Sequence, residues 1–169
     1  DIKFLMAGGE VRSNNIFQYT TPKFADAFTL TFAFRPGEQT LPAGSTPAPG
    51  TELQNGLTDA TSISAVYSKG PLYLALALDS DIDGVDVDTT RLVGQWTGDN
   101  FGVGLLQQTA EFAAEDEEIL FVSAYYNVND SVKLKVQNGT VENYAGTAPI
   151  GPIAFDGDAT TFGADFALS

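Results

Sequence analysis

The chain has no cysteine and no histidine, and only one methionine and one tryptophan. Without cysteine there is no disulfide framework and no thiolate metal site. Without histidine, the usual general base and the commonest transition-metal ligand are missing. Hydrolase triads and zinc chemistry are therefore poor expectations. Positive charge is scarce too: 8 Lys and Arg stand against 22 Asp and Glu, a net charge of −14. Such a chain repels phosphate backbones, so no nucleic-acid partner is expected. There is no run of about 18 apolar residues, hence no expected transmembrane helix. That absence leaves a membrane β-barrel open, because its strands are alternating segments of about 10 residues, each weakly hydrophobic on average.

What is present points to strands. The 169 residues suit one ordinary domain and include 12 Phe, 6 Tyr and 17 Gly. Phe28, Leu30, Phe32 and Phe34 alternate strictly with Thr29, Thr31, Ala33 and Arg35. The same period of two runs through Leu72–Asp79, Phe101–Leu105, Val132–Gln137 and Thr161–Leu168. Less regular strands fit Asn14–Thr20, Thr61–Ser68, Thr89–Thr97 and Glu118–Asn127. The reading gives nine strands and no segment of helical period.

The connections alternate in length. Thr21–Asp26, Lys69-Gly70, Gly98-Asp99-Asn100 and Asn129-Asp130-Ser131 are short and rich in turn formers. Pro36–Ala60, Asp79–Asp88, Glu111–Glu118 and Asn138–Ala159 are long, and two of them hold the acidic clusters. Short turns on one side and long loops on the other are the habit of an up-and-down membrane barrel. A soluble sandwich has no reason to keep that asymmetry. The two strand faces differ as well. One is large and apolar; the other is small and polar and includes Arg35, Arg91, Gln95, Lys133, Lys135 and Asp165. On a single strand this equally fits a soluble antiparallel sheet with one wet face.

The stretch Arg12-Ser13-Asn14-Asn15-Ile16-Phe17-Gln18-Tyr19-Thr20-Thr21-Pro22-Lys23-Phe24 resembles the segment that general porins of Gram-negative bacteria carry just after their constriction loop. Thr21 stands for the family's Ser, and Ala25-Asp26 for its Gly. Phe162-Gly163-Ala164-Asp165-Phe166-Ala167-Leu168-Ser169 resembles a late strand of the same family. Val66-Tyr67, Gly70-Pro71-Leu72 and Asp99-Asn100-Phe101 sit where the family has comparable residues. The resemblance spans essentially the whole chain. It implies an all-β, antiparallel up-and-down transmembrane barrel, incomplete, with about nine of sixteen strands. Residues 1–169 would run from the end of the constriction loop to the third-last strand. Five strands would lie before this segment and two after it. The opening Asp1-Ile2-Lys3, with neither start Met nor signal peptide, fits a mature, processed or truncated chain.

The resemblance further implies a diffusion channel in the outer membrane that passes small polar solutes with no chemical step. Implied partners are outer-membrane lipid and lipopolysaccharide, and, at full length, two further copies in a homotrimer. Selectivity in such channels comes from charge at the narrowest point. The expected pore-lining residues are Arg12, Arg35, Arg91, Lys133, Lys135 and Asp165, with Glu10 and Asp1 as acidic partners from the constriction loop. Phe24, Phe28, Tyr67, Trp96, Phe101, Tyr125 and Tyr126 are expected in the interfacial aromatic girdles.

Asp79-Ser80-Asp81-Ile82-Asp83-Gly84 matches the first half of a calcium loop. Thr90 occupies the twelfth position, where a bidentate Glu is required, leaving Asp86 or Asp88 to substitute. A solvated acidic loop is the plainer reading, with calcium at Asp79, Asp81 and Asp83 as the sharper one. Asn129-Asp130-Ser131 and Asn138-Gly139-Thr140 fit the glycosylation pattern but read better as turns. Two other function classes compete. One is a soluble or secreted calcium-binding β-sandwich, such as an adhesin or lectin module. The other is a glycan-active enzyme with paired carboxylates, which the loop positions of the acidic residues do not favour. The channel and the sandwich separate on one observation: an apolar face forming one outward belt, or one packed against a second sheet.

Overall fold

The computed structural model describes residues 15–37, 56–82, 86–112, 116–143, 147–148, 151–152 and 156–167. Its strands are β1 (Phe17–Thr20), β2 (Phe28–Arg35), β3 (Ala60–Lys69), β4 (Leu72–Ser80), β5 (Asp88–Thr97), β6 (Phe101–Glu111), β7 (Asp116–Asn129), β8 (Val132–Glu142), β9 (Thr147–Ala148), β10 (Gly151–Pro152) and β11 (Gly157–Phe166). Nine of them form one sheet in the order β1-β2-β3-β4-β5-β6-β7-β8-β11, and β9 pairs only with β10. Every neighbouring pair is antiparallel. Among the described residues there is no helix. The protein is all-β, an open up-and-down sheet consistent with an incomplete barrel.

The nine expected strands are the nine of the large sheet, with shifted ends. β1 starts at Phe17 rather than Asn14, because Asn15 takes a φ of 57° and breaks the extended backbone. The larger difference lies at Asn138-Gly139-Thr140, expected as a turn and found inside β8. There Val122, Phe121 and Leu120 of β7 pair with the three residues in order. The Asn138 amide also donates to Thr160 Oγ1 at 2.9 Å. A local turn preference gives way where ladders on both sides satisfy the backbone.

The short connections behave as their residues demand. Lys69 pairs with Leu72 across Gly70-Pro71, and Gly70 has a φ of 59°. That is the positive value a two-residue hairpin turn asks of its first central residue. Gly98 N–H donates to the Phe101 carbonyl at 2.9 Å. Asn129 Oδ1 accepts from Ser131 N–H at 2.9 Å, the Asx arrangement that closes a turn with a side chain.

The apolar face is bare. Phe32, Ile63, Leu74, Leu76, Leu78, Leu92, Val103, Leu105, Leu120, Val122 and Leu134 are all exposed by 41% or more of their surface. They share one face by register: Phe32 opposes Ile63, Ile63 opposes Leu78, and Leu76 opposes Leu92. Among the described residues the only other sheet is the β9–β10 pair. An exposed apolar surface of this extent marks contact with lipid or a partner. The buried side chains lie on the opposite face.

The belt also slopes. On β4 it runs over Leu72, Leu74, Leu76 and Leu78; on β11 over Phe162, Ala164 and Phe166. Ala75, midway along the β4 segment, is linked by register through Val93, Leu106, Phe121 and Gly139 to Ala159. The belt centre on β11 is Ala164, five residues nearer the short turns. Five residues of about 3.3 Å across five gaps of about 4.8 Å give a slope near 35°. Barrel strands in membranes tilt by roughly 35–45°. The slope therefore keeps one level belt on tilted strands.

Aromatic rings gather where the belt meets the short turns. Phe24 stacks on Phe28 at 5.8 Å, Phe28 meets Tyr67 edge-on at 5.1 Å, and Trp96 lies 4.7 Å from Phe101. Tyr126 joins Phe101 across the β6–β7 ladder. Tyr125, expected with them, is on the other face, since adjacent strand residues cannot point the same way.

Candidate functional site

The polar face divides by depth. Toward the long loops its residues are covered. Thr89, Gln108, Ala110, Glu117, Ile119, Phe121 and Val141 are all buried. Register explains the grouping: Arg91 opposes Gln108, Gln108 opposes Ile119, and Ile119 opposes Val141. Gln108 Oε1 accepts from Arg91 Nε at 2.7 Å and from Arg91 Nη2 at 2.5 Å. Two N–H groups converging on one oxygen hold the guanidinium flat along the wall. Ile119, Phe121 and Val141 form an apolar cluster beneath it, with Leu106 and Ala159 packed alongside.

Arg35 sits at the same end. Its Nη2 donates to the Asp81 carbonyl at 2.9 Å and its Nη1 to the Ile82 carbonyl at 3.2 Å. The Asp81 carboxylate accepts from Asp86 N–H at 2.6 Å. Asp81 and Asp86 both have positive φ, of 57° and 60°. Here the fixed cation of Arg35 is spent on loop carbonyls, so it ties the β4–β5 connection to β2.

Toward the short turns the polar face is open. Lys135 Nζ lies 2.5 Å from Asp165 Oδ2, with both side chains about half exposed. Lys133 Nζ sits 4.8 Å over the Tyr125 ring. The Tyr125 hydroxyl donates to the Gly98 carbonyl at 3.1 Å. That hydrogen bond lays the ring across Gly102, where a Cβ would come within 2.3 Å of it. Only glycine leaves room for the ring there. Beside it, Gln95, Gly104, Ser123, Gln137 and Thr161 form one register row across β5 to β11. These residues line a groove of about 330 Å³. Such a wall, polar on one side and lipid-ready on the other, can carry water and charged solutes along its length.

A sequence model of the Gram-negative porin family matches residues 4–169. The chain belongs to that family. No curated protein matches it. The family is one of outer-membrane channels rather than enzymes, and generally of trimers that pass small solutes.

In this porin chain the predicted pore residues fall into three groups. Lys133, Lys135 and Asp165 come together near the short turns. Arg91 and Arg35 lie toward the long loops and are engaged in the hydrogen bonds just given. Arg12, Glu10 and Asp1 lie outside the described residues, as does Asp83 of the suggested calcium loop. Asp79 and Thr90, the first and twelfth positions of that motif, lie in the paired strands β4 and β5. Among the described residues no three His, Cys, Asp or Glu are grouped to hold a metal ion.

Sequence reasoning missed Gln108, Glu117 and Tyr125. Glu117 sat in an acidic run read as loop, yet it belongs to β7 and is fully buried. Its neighbours Glu118 and Asp116 are exposed, so the alternation of a strand was there to be found. Tyr125-Tyr126 offered two adjacent aromatics, of which a strand can send only one outward.

Proposed function

We propose that this chain forms part of the wall of a water-filled outer-membrane barrel through which small hydrophilic solutes and ions diffuse passively. One observation carries the reading: a single antiparallel sheet exposes a sloping apolar belt on one face and groups its charged and amide side chains on the other. A soluble sandwich would need a second sheet about 10 Å away on the apolar face. No such sheet exists among the described residues.

The strand count supports a shared wall. Nine antiparallel strands put β1 and β11 in the same direction. Two copies inserted in the same sense, with the short turns on one side, could not close edge to edge with antiparallel pairing. An odd number of further strands is required, and seven would complete the sixteen of the family. Unpaired edges inside lipid would cost several kcal/mol for each bare backbone group, so further strands pair with both edges in the assembled barrel. In the trimer we envisage, lipid and lipopolysaccharide cover the apolar belt. Lys133, Lys135 and Asp165 set the charge of the open half of the lumen.

Planar-bilayer recording tests this. The full-length protein is expected to give discrete conductance steps, and the purified 169-residue chain none. Absence of steps from the full-length protein would overturn the channel. Steps from the isolated chain would overturn the shared wall.

A further inference from the structure

The groove beside Tyr125 is more than bare wall. Its floor is open at Gly163, where a Cβ would meet only Lys135 Cβ, while the Tyr125 ring covers Gly102 and Ser123 Oγ lies over Gly104. Gln95, Gln137, Ser123 and Thr161 supply amide and hydroxyl groups, and Tyr125 supplies an aromatic flank. Among the described residues, the charged ones lining it are Lys133 and Lys135. The carboxylates Asp99, Asp130 and Asp165 line an adjoining recess nearer the short turns, which Lys133 also lines and from which Asp165 reaches Lys135. Lys133 is steadied by the Tyr125 ring and Lys135 by Asp165, so both ammonium groups are placed before any solute arrives. Lys135 lies between the belt residues Leu134 and Val136, so the groove is level with the apolar belt rather than at a rim.

We propose that this groove is a binding subsite for a small sugar acid of the hexuronate class, resting on the channel reading above. The carboxylate meets the two ammonium groups. The ring lies with its C–H face over Gly163 and against Tyr125. Its hydroxyls meet the amides and hydroxyls of Gln95, Ser123, Gln137 and Thr161. At about 330 Å³ the groove is at the small end of ligand sites, which run from about 300 Å³ upward, and suits one sugar ring. Solutes of this class would pass with a saturable component, unlike a neutral hexose of the same size.

The test is ion-current noise in planar bilayers holding the full-length porin, with glucuronate, glucose or acetate added. Saturable blocking by glucuronate, at least tenfold tighter than by acetate and absent with glucose, is expected. Lys133→Gln with Lys135→Gln should weaken it at least tenfold, and Lys135→Arg should keep most of the blocking that Lys135→Gln loses. Gly163→Leu should abolish the blocking by filling the floor. A Cβ there meets only Lys135 Cβ, at 3.9 Å, so the variant has room to fold, and conductance steps would show that it has. Clear steps with no saturable blocking, equal blocking by acetate, or blocking unchanged in Gly163→Leu would each overturn the subsite alone. Absence of any steps from the wild type would overturn the channel and the subsite with it.

Discussion

The two halves of the polar face are built on the same strands and the same parity, yet they have opposite characters. Near the long loops, Gln108, Glu117 and Ile119 are within 1% of complete burial, and Arg91 is bound to Gln108. Near the short turns, Lys135 and Asp165 face each other half exposed to water. Charge in the first half is committed to holding the wall together. Charge in the second half remains accessible to solvent. On the proposed channel reading the two kinds of cation differ in mobility and reach: Arg91 is held against the wall by Gln108, whereas Lys135 is half exposed and open to contact with a solute.

Three substitutions sharpen that contrast, in falling order of effect on stability. Ile119→Ala removes a fully buried side chain from the cluster with Phe121 and Val141. It should cost about 2–5 kcal/mol, read as a lower urea midpoint for folding into lipid vesicles. An unchanged midpoint would mean that the buried half is not a packed core. Gln108→Leu takes the shared acceptor from Arg91. A hydrogen bond to a charged group is worth about 1.5–3 kcal/mol, and that loss should appear in the same assay. A midpoint matching the wild type would show that Arg91 is held by other partners. Lys135→Met breaks an ion pair in the open half. Its effect on stability should stay below about 1 kcal/mol. Its effect on transport should be plain: loss of a lumen cation shifts the reversal potential in a salt gradient toward cation preference. An unshifted reversal potential would remove Lys135 from the conducting path.

Much of the fold was legible in the residues themselves. Phe28–Arg35 and Leu72–Asp79 alternate so strictly that their strands and faces follow from side-chain geometry alone. The turn at Gly70-Pro71 announced itself through φ preferences. The site was less legible. Asn138-Gly139 looked like a turn because both residues tolerate turn geometry, and nothing local reveals that β7 is long enough to pair beyond it. Glu117 looked solvated because its burial depends on what lies over the sheet rather than on its own strand.

The sequence by itself determined the strands, their up-and-down order and which side chains share a face. Those features rest on a period of two and on turn chemistry, both local. Only the tertiary structure decided depth and accessibility. The ladders from β4 to β11 set the slope of the belt and with it the depth of Lys135, and the β5–β6 register sets Gln108 against an arginine 17 residues earlier. The β6–β7 register likewise lays Tyr125 over Gly102. Each depends on ladders between residues distant in the chain, and pairing of that kind leaves no mark on the sequence around any one of them.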